Sequence, residues 1–381
     1  MKILKYSVIS DINKGDVFIS TSINYIDKKI FNNDILNEDI LFKKFDIDER
    51  LRNELTTTTF FKIYRRGFIM SYVVLGIKKI IFLLKHKQLM LDQISECDIV
   101  MIGGGNLLME SNGGDLFYRT MKIIELAKYL NKKVIIYAVG LGPFEFPYKN
   151  RLISMINSVD QFYVRDENNK QICEEFKNEL NKEVGVVLDP AFIVSDIHKG
   201  HDCDIKYIGF NFMNYSKVIK DSKFDIEEVV KNIHKLHIEY KLPIKIINTS
   251  FGEDLSISRI IKEELNHLNV EVKIYNIKNL EDLPHAFCDL LFFVASRMHS
   301  SIFSMSYNVP TLIYPWHPKV KYLQKLLFNN QFELPLLHSE NFNSTEISHK
   351  IKAFKKLNLP SVVDTHKENI YRDYENIFKS F

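Results

Sequence analysis

The chain has 381 residues, too long for one ordinary core, so two domains are the natural expectation. Hydrophobic residues at 46% and charged residues at 26% exclude a disordered chain, and a net charge of only +3 gives no whole-molecule argument for nucleic acid. Cysteines 97, 173, 203 and 288 are widely spaced and form no Cys-x-x-Cys, which argues against a disulfide framework or a zinc ribbon.

The first residues lack a sustained apolar segment and a small-residue cleavage site, so no secretory signal is read and a cytoplasmic setting is expected. Ile3 to Ile9 reads as a strand and 17–28 as a helix, after which 30–60 is polar and irregular. Gly67 to Ile77 is uncharged, yet crossing a bilayer takes about 20 residues. Arg65 and Arg66 precede it, and Lys78, Lys79, Lys85 and Lys87 follow. That pattern fits an anionic membrane surface as well as a long core helix with a basic outer face.

Asp98 to Ile102 reads as a strand, Leu116 to Leu130 as a helix and Val134 to Val139 as a strand. A helix over 148–157, a strand at 161–164, a helix over 167–177 and a strand from Val184 to Leu188 follow. Residues 195–205 carry no periodic apolar pattern and read as a linker. A second series then places strands at Tyr207 to Phe212, Ile244 to Asn248, Val270 to Tyr275, Leu290 to Val294 and Thr311 to Tyr314, with helices clearest at 226–240 and 255–267. The tail over 344–380 is helical with a break at Asn358-Leu359-Pro360. Alternating apolar strands and helices imply parallel sheets covered on both faces. The expected architecture is two doubly wound domains, 1–195 and 206–343, with a cleft between them, an insertion over 30–95 and a helical tail over 344–381. The tail's last helix could pack back on the first half.

The most informative stretch is Ser296-Arg297-Met298-His299-Ser300, where an apolar strand hands over to a helix. Open α/β sheets bind ligands there. An arginine beside a histidine suggests an anionic substrate and proton transfer. Gly103-Gly104-Gly105-Asn106 and Gly140-Leu141-Gly142-Pro143 end two other strands, and either tight turns or close approach to a ligand would account for the glycines. Arg165-Asp166 ends a third strand, with Asp166 suited to cap the next helix and Arg165 to contact an anion. Asp189-Pro190 and Asn13-Lys14-Gly15-Asp16 follow strands in the same way, and Lys319 in Trp316-His317-Pro318-Lys319 could add a cation. His198, His201 and Cys203 offer no fourth ligand at usable spacing, so no metal is expected. No His-Glu-x-x-His or Gly-x-Ser-x-Gly occurs, which leaves zinc peptidase and serine hydrolase chemistry unsupported.

In this order the motifs resemble the polysaccharide pyruvyl transferase family over roughly residues 8 to 328, excluding the insertion. The resemblance implies a fold like the GT-B glycosyltransferases. It also implies transfer of the pyruvyl group of phosphoenolpyruvate onto two hydroxyls of a cell-surface polysaccharide or lipid-linked sugar, giving a cyclic ketal. Arg165, Arg297 and His299 would hold the donor, with Met298 between the last two and Gly104, Gly105, Asn106, Gly142 and Lys319 around it. Two guanidinium groups suit a donor carrying a carboxylate and a phosphate. His299 would be the general acid that protonates the methylene carbon. No cofactor beyond this donor substrate is implied. A nucleotide-sugar glycosyltransferase, or a non-catalytic membrane-surface component of polysaccharide assembly, would fit the same fold.

Overall fold

The computed structural model describes residues 1–9, 14–33, 35–42, 68–108, 115–142, 148–200, 203–213, 225–314, 323, 342–354 and 356–379. The chain divides into two compact units: Met1–Asp11 with Ile19–Asp189, and Ile12–Phe18 with Pro190–Phe381.

The first unit is built on a parallel sheet of β1 (Ile3–Ser7), β2 (Leu36–Asp39), β3 (Ile99–Leu108), β4 (Lys133–Leu141), β5 (Gln161–Val164) and β6 (Gly185–Val186), in the order β2-β1-β3-β4-β5-β6. Ile99 to Ile102 and Val134 to Val139 are continuous buried runs, as strands covered on both faces must be. Helices α1 (Lys14–Phe31), α2 (Phe68–Ser95), α3 (Asp115–Tyr129), α4 (Tyr148–Ser158) and α5 (Glu167–Glu174) alternate with the strands. Under the sheet, Lys5 Nζ donates to Ser20 O and Asn24 Oδ1, both at 2.5 Å. Burial pushes this lysine well below its usual range, against the pull of Asp27.

Three expectations need correcting here. Residues 30–60 are not wholly irregular, because Leu36–Asp39 pairs in parallel with β1 as an edge strand. The glycine triplet does not end β3, which continues to Leu108 with a register shift after Gly105. The final strand of this half is two residues, not five. Among the described residues no helix is long and apolar enough to cross a membrane.

The second unit carries β7 (Tyr207–Asn211), β8 (Ile244–Asn248), β9 (Val272–Asn276), β10 (Leu290–Ala295) and β11 (Thr311–Ile313), parallel in the order β11-β10-β7-β8-β9. A 3₁₀ turn at Pro190–Ile193 runs directly into the short helix α6 (Val194–Ile197), so part of the segment that reads as a linker is helical. Helices α7 (Ile226–Tyr240), α8 (Phe251–His267), α9 (Asp282–Phe287), α10 (Met298–Ser306), α11 (Ser344–Phe354) and α12 (Leu359–Lys379) follow. Asp225 caps α7 by accepting from the Glu227 and Glu228 amides.

The last helix packs within the second unit. Lys367 Nζ lies 2.7 Å from Ser195 Oγ and 2.8 Å from Asp196 Oδ1, and Tyr371 donates to Asp196 Oδ2. Strand order reverses between β1 and β3 in one unit and between β7 and β10 in the other. Those reversals open the crevices where doubly wound sheets take ligands.

Candidate active site

In the second unit, Asn211 ties the ends of three strands together. Its side-chain amide donates to Ile247 O at 2.9 Å, and its Oδ1 accepts from the Arg297 amide at 3.1 Å. Ser296 braces the same strand end, donating from Oγ to Asn211 O and accepting from the Met213 amide. Arg297 is therefore set at the switch point through its own amide, held by the Asn211 side chain. It occupies the N-cap of α10, and no side chain there caps the helix.

The Arg297 guanidinium is anchored. Nε donates to both carboxylate oxygens of Asp254 at 2.8 Å, and Nη2 donates to Asp254 Oδ1 and Glu253 Oε2 at 2.6 Å. Asp254 is fully buried and Glu253 exposed. Burial works against the arginine's charge, yet Asp254 and Glu253 outweigh it and hold the group more firmly cationic than usual. Burial also pushes the Asp254 carboxyl upward, with Arg297 pulling the other way. The fork is thus oriented through Nε and Nη2, and among the described residues Nη1 makes no hydrogen bond.

His299 stands in the first turn of α10, its ring 6.2 Å from that of Phe303 at 20°. The first turn of α1, which groups with this unit, is docked beside it. The Lys14 amide donates to Thr249 O at 3.1 Å, and Thr249 Oγ1 shares a 2.7 Å bond with Ser300 Oγ. Gly15 meets the imidazole directly: a Cβ there would lie 2.6 Å from Cε1, and closer still to Nδ1 and Cγ. The Gly-Asp motif after the first strand is therefore explained by a close approach to His299. Asn13 of that motif lies outside the described residues.

In the first unit, Arg165 leaves β5 with its amide bonded to Val139 O at 3.1 Å. Nη2 donates to Asn106 Oδ1 at 2.5 Å, and Nη1 is 3.7 Å from Asp189 Oδ2. The side chain is only 3% exposed, yet Nε and Nη1 make no hydrogen bond among the described residues. Gly140 leaves the room this needs, since a Cβ would come within 2.9 Å of Nη2 and closer to Asn106 Oδ1. Asp166 caps α5 through the Asn169 amide at 2.8 Å, and Asn169 Oδ1 accepts from the Leu141 amide.

Of the other candidates, Gly104 and Gly105 are buried within β3 at φ of 82° and 80°, with Gly104 packed against Ile19. Gly142, at φ 70°, donates to Leu108 O. Met298 is buried in α10, and Lys319 and His317 lie outside the described residues. Sequence reasoning misses Glu253, Asp254, Asn211 and Thr249. An acidic pair in the first turn of a helix already has an ordinary explanation in the helix dipole, so Glu253 and Asp254 carry no separate signal.

Two parallel doubly wound sheets with flanking helices define an α/β fold of the GT-B kind. The Rickettsia africae glycosyltransferase structure matches it with a TM-score of 0.55 at 12% identity, covering 100% of this chain and 98% of that one. The S. aureus MnaA–UDP structure gives 0.56 at 13% identity, covering 97% and 92%. UDP-GlcNAc 2-epimerase from Neisseria meningitidis, bound to UDP-GlcNAc, gives 0.51 at 11% identity and covers both chains fully. At these identities the likeness is one of fold. No curated protein shows significant sequence similarity. The polysaccharide pyruvyl transferase profile, however, matches residues 7–318, and the chain belongs to that family of transferases.

Proposed function

We propose that this enzyme transfers the pyruvyl group of phosphoenolpyruvate to two hydroxyls of a single sugar unit in a polysaccharide or its lipid-linked precursor. The observation that carries this reading is Arg165: among the described residues its buried Nε and Nη1 make no hydrogen bond, Asp189 standing off at 3.7 Å, so the guanidinium keeps donors for an anion. The family resemblance assigns Arg165 and Arg297 to the donor's anionic groups and His299 to the delivery of the proton. The methylene carbon gains that proton, the first hydroxyl oxygen attacks the central carbon, and phosphate leaves as its carbon–oxygen bond breaks. The second hydroxyl oxygen then closes the ketal on the same carbon. The two hydroxyl protons balance the new methyl hydrogen and the proton carried by phosphate. Within the first unit Asn106 orients Arg165, and within the second Asp254 orients Arg297.

The test is phosphate release from phosphoenolpyruvate across a panel of galactose-, mannose- and glucuronate-type acceptors, free and lipid-linked. Ketal-bearing product with equimolar phosphate is expected. Turnover of a nucleotide sugar, with no turnover of phosphoenolpyruvate, would overturn the reading.

A further inference from the structure

We propose that the outer face of α2 docks on an anionic lipid bilayer. The helix is held to the first unit by one side. Met90 and Ile94 are fully buried, and the Phe82 ring lies 5.2 Å from that of Phe42 with the Arg119 guanidinium 4.6 Å from it. With that side committed, the opposite side cannot turn inward. It carries Ile80, Ile81 and Leu84 at 60%, 56% and 80% exposure, three large aliphatic side chains on adjoining turns. At the helical repeat they fill a sector of about 100°. Exposed Lys87 borders one edge of that sector and exposed Lys85 the other. Over Phe68–Ser95 the sequence has four lysines against one acidic residue, Asp92.

Aliphatic side chains flanked by cations match the two layers of an anionic membrane surface: acyl chains at the boundary and charged headgroups beside them. A soluble protein partner would need a complementary acidic rim. A bilayer supplies one over its whole area. Docking here is independent of the donor chemistry and would bring the enzyme to lipid-linked acceptors.

The full chain should float with phosphatidylglycerol-containing vesicles and not with pure phosphatidylcholine, and added salt should release it. Lys85→Gln and Lys87→Gln should each weaken partitioning about 5-fold. Leu84→Asp should abolish it, with unchanged Tm and unchanged turnover of a soluble acceptor. Equal binding to both vesicles would overturn the proposal. So would a Tm loss of several degrees in Leu84→Asp, which would mean that the chain's own residues cover the face. A dimer in solution that Leu84→Asp dissociates would assign the face to a second copy and overturn it too.

Discussion

Gly15→Ala puts a methyl carbon against the imidazole of His299. The most distant of the three ring atoms it meets, Cε1, would lie 2.6 Å away. An unstrained carbon contact needs about 3.5 Å, so the ring must retreat by roughly 1 Å even by its most lenient atom. A displacement of about 1 Å in a reacting group costs on the order of 100-fold in turnover. Gly15→Ala should therefore approach the loss expected for His299→Ala, itself about 100-fold or more. The assay is steady-state phosphate release at saturating donor and acceptor. Stability separates this effect from misfolding. In a His299→Ala background the clash is gone, and alanine in a helical turn should then add roughly 0.5–1 kcal/mol relative to glycine. Near wild-type turnover in Gly15→Ala would refute the claim that the α1 turn sets the imidazole in place.

Arg165→Ala should lower kcat/KM for the donor by roughly 10- to 100-fold, the worth of a charged hydrogen bond. Arg165→Lys should recover little, because an ammonium cannot hold Asn106 and an anion in one plane; full recovery would contradict the fork geometry. Asp254→Asn, at a fully buried carboxylate facing a guanidinium, should cost about 3 kcal/mol in urea unfolding and raise the donor KM. An unchanged midpoint would show that the pair does not anchor Arg297. Burial beside Phe192 pushes the His366 imidazole below its usual value, so the unfolded chain takes the proton first as pH falls. Stability should thus fall as pH drops below about 6.5, more steeply in the wild type than in His366→Leu. Parallel Tm profiles in the two proteins would contradict this.

Long elements with a clear period are legible in the order of residues alone. The run 226–240 alternates apolar and polar residues at helical spacing behind Asp225, and α7 has those bounds. Ile244–Asn248 is an isoleucine-rich run, interrupted only by Lys245 and closed by Asn, and β8 has those bounds too. β2 is not legible in this way, because Leu36-Asn37-Glu38-Asp39 holds a single apolar residue. As an edge strand it is defined by its ladder to β1, which no local pattern encodes. β3 outruns its expected end because three glycines ordinarily interrupt a strand, whereas here Gly104 and Gly105 carry it on at positive φ with a shifted register. The candidate residues are legible as residue types after strand ends: Arg165, Arg297 and His299 stand out by position. Their pairings do not, since Asp254 lies 43 residues before Arg297, and Asn106, though a candidate in its own right, lies 59 before Arg165. Such pairings are made by tertiary packing alone. The role of Gly15 is equally hidden, because a glycine after a strand reads as a turn until the ring beside it is seen.

The most direct measurement is the product of the full chain incubated with phosphoenolpyruvate and a lipid-linked or free sugar acceptor, analysed by mass and by phosphate release. The account predicts a sugar carrying one ketal-linked pyruvyl group for each phosphate released, and loss of both in His299→Ala. Phosphate released without pyruvyl on the sugar, or a glycosylated product formed from a nucleotide sugar, would contradict it.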